Sequence, residues 1–378
     1  MYWQQRKLYS GETFSVSSTY RRDLPEYGYL SSLMLQISGD QASDFAINGG
    51  LWRIIDYITK VEVIANGSQV VKSLTGQQAQ ALAFYDQLIP ALDTWRGYAR
   101  NTQFCNILLN FGRRAYDPDY GLDLSKYDNV EVRVTTNATA SQFTSGFSID
   151  VTGIFQQPQE QVRTLGYLRS EIWRTWTTVQ DAWQYFTLPI DYRLRRILLH
   201  AIPAYDSTAY TADTQFTNCL YDIQHFIKTG QVTVFDGRLA DLVRMNAYDY
   251  GQYVITHPHA YVNADKAIPV GVGVPDAHIF QPASYSGSAE TSIASLTAGQ
   301  TADTVAFESG VGAGPDEGIV IGRGYHNTAV LRYDSNADPL TWLDMQSNKA
   351  VDLNIHTRDS ASADNATAAV ILDRLVQY

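Results

Sequence analysis

The chain has 378 residues, more than one hydrophobic core usually serves, so two domains are the starting expectation. Hydrophobic residues make up 45% and charged residues 18%, which is the composition of a folded protein and excludes wholesale disorder. Net charge is -11, with 14 basic against 16 acidic residues up to position 164 and 14 against 23 beyond it; no stripe of Lys and Arg exists to neutralise phosphates, which excludes direct nucleic-acid binding as the main task.

The chain opens with "MYWQQRKLYSGETF", which has no apolar stretch and therefore does not read as a signal peptide. It reads as a short aromatic and basic terminus, frayed or laid against a neighbour, made and folded in cytoplasm. No run of eighteen apolar residues follows anywhere. Residues 23–39, "DLPEYGYLSSLMLQISG", then place apolar side chains at Leu30, Leu33 and Leu35 after Leu24-Pro25. The same offsets return 164 positions later in "TLPIDYRLRRILLHAIP", with Leu188-Pro189 and then Leu194, Ile197 and Leu199. Both stretches read as core-facing strands entered through Leu-Pro.

Alternation with a period of two predicts further half-buried strands at Val61/Val63, Val130/Val132/Val134, Phe147/Ile149/Val151, Val232/Val234 and Val351/Leu353/Ile355. Asn66-Gly67 reads as a tight hairpin turn, a simpler account than the glycosylation sequons headed by Asn66, Asn137 and Asn365. Helical spacing is confined to "TGQQAQALAFYDQLI", with Leu82, Tyr85 and Ile89, to "DGRLADLVRMNAYDYG", with Leu239, Leu242 and Val243, and to a shorter stretch at "GGLWRIIDY". The first two again follow a β run and a Gly in matching places.

An order of elements repeated at this scale indicates two copies of one domain: 1–158, a connection at 159–172, and 173–378. The second copy carries a Gly-, Ala-, Ser- and Thr-rich surplus at 282–318, expected as a long surface excursion. Many short strands with long connections predict an all-β fold of two tandem jelly-roll sandwiches, with short helices in the connections.

Residues able to carry chemistry are few. Gly251, His257 and His259 in "GQYVITHPH" match the opening of a cupin metal motif, but no Glu follows and His278 lacks the remaining glycine pattern. Asp117, Asp119 and Asp123 lack the Gly and terminal Glu of a calcium loop and read as a solvated turn. The glycine cluster "GVGAGPDEG" has no Lys-Ser/Thr after it and reads as a loop. Cys105 and Cys219 are too few for a disulfide framework or a Cys-rich zinc site and read as buried apolar residues of a reducing compartment. Arg193, Arg195 and Arg196 are expected at exposed strand positions or in an intersubunit ion pair. The expectation is therefore no catalytic residue, no cofactor and no metal site, with 25 Tyr, 14 Phe and 7 Trp available for intersubunit contact.

"YRRDLPEYGYLSSLMLQISG", "LWRIIDYITKVEVIANGSQVVKSLTG" with its following helix, "FTLPIDYRLRRILLHA" and "GQVTVFDGRLADLVRMN" together carry a resemblance. In this order of elements the chain resembles the double jelly-roll major capsid proteins of tailless icosahedral viruses, the adenovirus-type lineage that includes membrane-containing bacteriophages. Leu74-Thr75-Gly76 stands where that family has an "LSG"-like helix start. The resemblance implies homotrimers in which six jelly rolls make a pseudo-hexagonal block, trimers tiling a virion shell, and excursions such as 282–318 forming towers or clasps. It also implies vertex and minor capsid proteins as partners, and contact with an internal membrane through Trp3, Arg6 and Lys7. The competing expectations are a minor capsid, vertex or carbohydrate-binding jelly-roll protein, and a cupin-like metalloenzyme.

Overall fold

A computed structural model of the chain describes residues 2–42, 53–93, 102–157, 164–202, 216–228, 230–256, 278–280, 319–322, 324–334, 338–360 and 363–378. The first half contains nine strands: β1 (Tyr2–Phe14), β2 (Ser17–Asp23), β3 (Tyr29–Gln41), β4 (Ile58–Ala65), β5 (Gln69–Leu74), β6 (Thr102–Asn110), β7 (Leu122–Asp123), β8 (Val130–Asn137) and β9 (Phe143–Gln157). They form one sheet in the order β1-β9-β3-β6 and a second in the order β2-β8-β4-β5. The second half contains β10 (Gly166–Thr177), β11 (Trp183–Thr187), β12 (Arg193–Ile202), β13 (Leu220–Ile227), β14 (Val232–Arg238), β15 (Tyr253–Thr256), β16 (His278–Phe280), β17 (Ile319–Gly322), β18 (Thr328–Arg332), β19 (Val351–Thr357) and β20 (Thr367–Gln377). Here the orders are β10-β20-β12-β18 and β11-β19-β13-β14, with β15-β17-β16 as a small additional sheet. Strand for strand the two halves have the same jelly-roll topology, so the all-β expectation holds.

The repeated Leu-Pro has a physical task. Leu24 donates its backbone N–H to Val130, the first residue of β8, at 2.7 Å, and Leu188 donates to Val351, the first residue of β19, at 2.8 Å. Each Leu makes a last hydrogen bond to one sheet, and both side chains are buried. The Pro that follows has no N–H to continue the ladder, so pairing stops and the chain crosses to the facing sheet. The next strand in each half then bulges at the same place: β3 shifts register against β9 between Leu30 and Ser32, and β12 shifts against β20 between Leu194 and Arg196. A bulge sets two residues against one, which is why the apolar positions run 30, 33, 35 and 194, 197, 199 and not in strict twos. At the β4–β5 turn Asn66 and Gly67 both have positive φ (51° and 73°), as the expected hairpin requires.

Helix α1 (Ile54–Tyr57) is a single turn; α2 (Gly76–Gln87) and α3 (Leu239–Tyr250) follow β5 and β14 in matching places, and α4 (Met345–Asn348) precedes β19. Thr75 and Gln78 close a capping box at the start of α2: the Thr75 hydroxyl accepts from the Gln78 N–H and the Gln78 side chain accepts from the Thr75 N–H. Leu88, in the left-handed region, ends it. Ile89 therefore lies beyond the helix and is exposed, contrary to its expected place on the apolar face.

Two hydrophobic clusters fill the sandwiches. The second contains Ile197, Leu199, Ile223, Leu353 and Leu372. The first contains Leu33, Leu35, Val61, Val132 and Ile149, but it also takes in Tyr167, Leu198, Val330 and Ile371 from the second half. The sheet β10-β20-β12-β18 is thus apolar on both faces, one turned to its own sandwich and one to the other. β5 pairs in parallel with β10 (Lys72↔Ser170, Ser73↔Glu171), which joins one sheet of each sandwich into a single eight-stranded sheet.

Several expectations need correction. Residues 2–14 are not a frayed arm but strand β1, paired with β9 along its length. The connection expected to run to 172 ends earlier, because β10 begins at Gly166 and pairs with β20 from that residue on. Val232 and Val234 alternate as expected, but both are exposed, and Phe235 and Gly237 take the more covered positions of β14. The excursion at 282–318 lies outside the described residues.

Candidate functional site

Among the described residues a dense cluster of buried polar groups lies where the two sandwiches meet. β12 carries Arg195 and Arg196 at its bulge; α2 carries Asp86, β20 carries Asp373, and Asp334 lies just past β18. Arg196 donates to Asp86 at 2.6 Å and to Asp373 at 2.9 Å, and Arg195 donates to Asp86 at 2.8 Å and to Asp334 at 2.7 Å. Asp373 also accepts from the Ser170 hydroxyl at 2.6 Å, which accepts from Lys72 Nζ at 2.7 Å across the β5–β10 junction. In the other direction Asp86 accepts from Asn110, whose side-chain oxygen accepts from Ser32. A chain of hydrogen bonds therefore runs from the bulge of β3 to the bulge of β12. A cavity of about 10 Å³ lies among Lys72, Asp86, Arg196 and Asp373, no larger than a single water.

Both guanidinium groups are buried, which corrects the expectation of exposed strand positions. The reason is the second sandwich face: β12 is covered on both sides, so residues that would point to water in an ordinary half-buried strand point into the first half instead. Arg193, the third of the group, is partly exposed and pairs weakly with Asp344 at 3.5 Å. The available signal was "ILL" at 197–199, three apolar residues in succession where a half-buried strand would alternate, since continuous apolar stretches mark strands buried on both faces.

Burial sets the ionisation of this junction. Burial pushes the Lys72 ammonium down to about 8, against the opposing charges of Asp373 and Asp86. Burial would raise the Asp373 carboxyl, but Arg196, Arg195 and Lys72 outweigh it and hold it below its ordinary range. Around the same helix, Gln78 meets His200 Nδ1 at 3.1 Å, Gln80 meets His326 Nε2 at 2.6 Å, and the Tyr85 hydroxyl lies 3.1 Å from the Thr328 carbonyl oxygen. Burial lowers His200 to about 4, and burial with nearby Arg53 takes His326 well below its ordinary value. These histidines are neutral hydrogen-bonding partners of the α2 glutamines.

The residues singled out for chemistry have structural employment or lie elsewhere. Asp117 takes two hydrogen bonds from the Arg113 side chain, one from the Arg113 N–H and one from the Asp119 N–H, and Asp119 takes a further one from Arg113 at 2.5 Å. Asp123 takes no part in those hydrogen bonds; it caps the turn at Ser125. Asp117 and Asp123 are buried, not solvated as the sequence implied. His257, His259 and the glycine cluster lie outside the described residues, Gly251 is the C-cap of α3, and His278 is described only as backbone in β16. Among the described residues no three His, Cys, Asp or Glu side chains form a group able to hold a metal, and no helix is long and apolar enough to cross a membrane. Cys105 and Cys219 are both buried, as expected, and unpaired with each other. On β1, Trp3 packs edge-on against Tyr116 and Lys7 pairs with Asp150 at 2.9 Å, while Arg6 is exposed.

No family model matches the chain, and no curated protein sequence matches it. Solved structures do. The chain is similar to the major capsid protein of Sulfolobus turreted icosahedral virus at 10% identity and TM-score 0.61, over 100% of this chain and 97% of that one. It is similar to VP54 of PBCV-1 at 11% identity and TM-score 0.55, over 99% and 93%. It is also similar to the major capsid protein P2 of bacteriophage PM2 at 11% identity and TM-score 0.51, over 100% and 98%. The likeness is one of fold, and it spans both sandwiches together.

Asp373→Ala removes the carboxylate shared by Arg196, Arg195 and Ser170 and leaves buried cations uncompensated; a loss of about 3–5 kcal/mol in unfolding free energy is expected by chemical denaturation. A loss under about 1 kcal/mol would show that the junction does not depend on this cluster. The histidines add a pH dependence. The folded value of His200, about 4, lies below the unfolded value near 6.5, so the unfolded chain binds more protons between the two, and stability falls as pH drops through that window. Asp93, pushed up by burial to about 6, acts in the opposite direction, so the clean observable is a difference. His200→Gln, which keeps a hydrogen-bonding group toward Gln78, is expected to flatten the loss of stability between pH 6.5 and pH 5 relative to wild type. Parallel pH profiles would refute that assignment.

Proposed function

We propose that the chain is a structural major capsid protein, a self-assembling subunit whose homotrimers form pseudo-hexagonal blocks that tile an icosahedral shell. One observation carries this reading: the chain holds two sandwiches of identical strand order, locked edge to edge by a continuous sheet and a buried ion cluster. Such a unit is a wall segment with two similar faces, and three copies supply six. The fold likeness to the viral capsid proteins supports the same reading. Asp117, Asp119 and Asp123 hold turns, and Arg195 and Arg196 hold the junction, which fits a protein whose product is a surface. The two building blocks in this proposal are 1–158 and, with all of β10 included, 166–378, the second with its excursion at 282–318, and the chain's place is the virion of a tailless, membrane-containing phage or a relative of one.

Purified protein is expected to give a stable species near three times 42.2 kDa by light scattering, and to dominate purified particles by mass. A strict monomer at high concentration would count against the proposal, and a trace abundance in particles would favour a minor or vertex component. Vertex and minor capsid proteins are partners in this reading, and an enclosed membrane would meet β1 as a sheet strand. Flotation of assembled trimers with liposomes, weakened several-fold in a W3A/K7A variant, is the expected sign of that contact; equal flotation would remove it.

A further inference from the structure

The junction inside the chain has a counterpart that the chain leaves open. In the junction, the first sandwich contributes β5 and α2, and the second contributes β10 and β12. By strand order and by matching bulges, the second sandwich presents β14 and α3 in the places of β5 and α2, and the first presents β1 and β3 in the places of β10 and β12. β5 bulges at Val71 against β4 and β14 bulges at Val234 against β13. β10 bulges at Trp173 and β1 at Leu8. Counterparts can therefore be assigned residue by residue.

Their exposure differs in one consistent way. Tyr85 of α2 is 4% exposed and its counterpart Tyr248 of α3 is 93% exposed. Val71 is fully buried and Val234 is 40% exposed; Tyr167 of β10 is fully buried and its counterpart Tyr2 of β1 is 63% exposed. On the next strand, Leu198 and His200 are buried, whereas Met34 is half-buried and Gln36 is exposed. Side chains at matching positions that are covered within the chain are more exposed on its two outer faces.

We infer that these two faces bind each other between copies: β14 and α3 of one chain receive β1 and β3 of a second copy in the geometry that β5 and α2 use for β10 and β12. Charge agrees with this register. In the internal junction Ser73 lies opposite Glu171. Ser73 stands two residues before the N-cap of α2 and Asp236 two before the N-cap of α3. Glu171 lies opposite Leu372 on β20, and Arg6 lies opposite Gly153, the counterpart of Leu372 on β9. The pair facing across the new contact is therefore Asp236 with Arg6, both exposed and of opposite sign. Tyr248 takes the role of Tyr85, and Tyr2 of the incoming strand lies over Val232 as Tyr167 lies beside Gln69 at 3.1 Å. The contact is head-to-tail, so it closes a ring or runs into a filament; its closure with three chains rests on the shell-subunit reading above.

The substitutions R6D, D236R and Y248D change exposed side chains, and circular dichroism is expected to show each variant folded. Each is expected to raise the concentration needed for trimer formation at least tenfold by sedimentation, and R6D/D236R together are expected to restore assembly to near the wild-type level. Oxidised R6C/D236C is expected to give interchain crosslinks on a non-reducing gel. If the single variants assemble as wild type, or the double variant is no better than either single, the contact lies elsewhere while the trimer reading stands. A wild-type monomer at all concentrations would overturn the trimer reading itself.

Discussion

The carboxylate of Asp373, held between Arg196, Arg195 and the Ser170–Lys72 pair, is the interaction on which the chain's architecture turns. Bringing two arginines out of water is costly, and in a low-dielectric interior the cost is recovered only where acceptors meet them in good geometry. Here the acceptors come from three elements that are far apart in sequence: α2 of the first sandwich, the segment after β18, and β20. Such a cluster adds little net stability over an apolar seam of equal volume. What it does is penalise every other docking of the two halves, since a shifted arrangement would leave a charge buried alone.

The duplication is complete in topology and deliberately incomplete in surface. Both halves use the same Leu-Pro crossing, the same bulge one residue after the first core leucine, and the same hairpin and helix after it. At the bulge, however, the first half has Ser31 and Ser32 where the second has Arg195 and Arg196. The small hydroxyls and the long guanidinium groups mark which half is joined on which side. α2 is covered by the second sandwich and carries glutamines that meet neutral histidines; α3, in the matching place, presents Met245 and Tyr248 to the outside. An internal repeat in which one copy's contact face is filled and the other's is open is suited to assembly in one direction of addition.

This arrangement also accounts for what is absent from the chemistry among the described residues. Most carboxylates and histidines with shifted ionisation are found at the junction, at the turn built by Arg113 and Asp117, and around α2; Glu12, Asp150 and His225 lie elsewhere, and each of these groups has a protein partner in hydrogen-bond range. Perturbed ionisation often marks a catalytic site, but it equally follows from burying polar groups at a seam. The cavity beside the cluster has room for a water and no more, so the perturbation is a consequence of docking two sandwiches.

The amino-acid sequence by itself determined the local elements: strands from alternation, the hairpin from Asn66-Gly67, the helix starts after β5 and β14, and the twofold repeat from Leu-Pro and its apolar offsets. These are legible because they depend on neighbours within a few residues, where backbone geometry and side-chain period act directly. The tertiary structure alone decided which face of each strand is covered. Val232 and Val234 alternate like core residues yet face outward, because among the described residues no strand covers that side of β14. Arg195 and Arg196 look like surface residues yet lie inside, because a second sandwich docks over β12. Residues 2–14 look like a loose terminus yet form a full strand, because β9 offers its edge. For the arginines and for β1 the outcome depends on an element more than a hundred residues away, and for β14 on the lack of one among the described residues, which no local period can report.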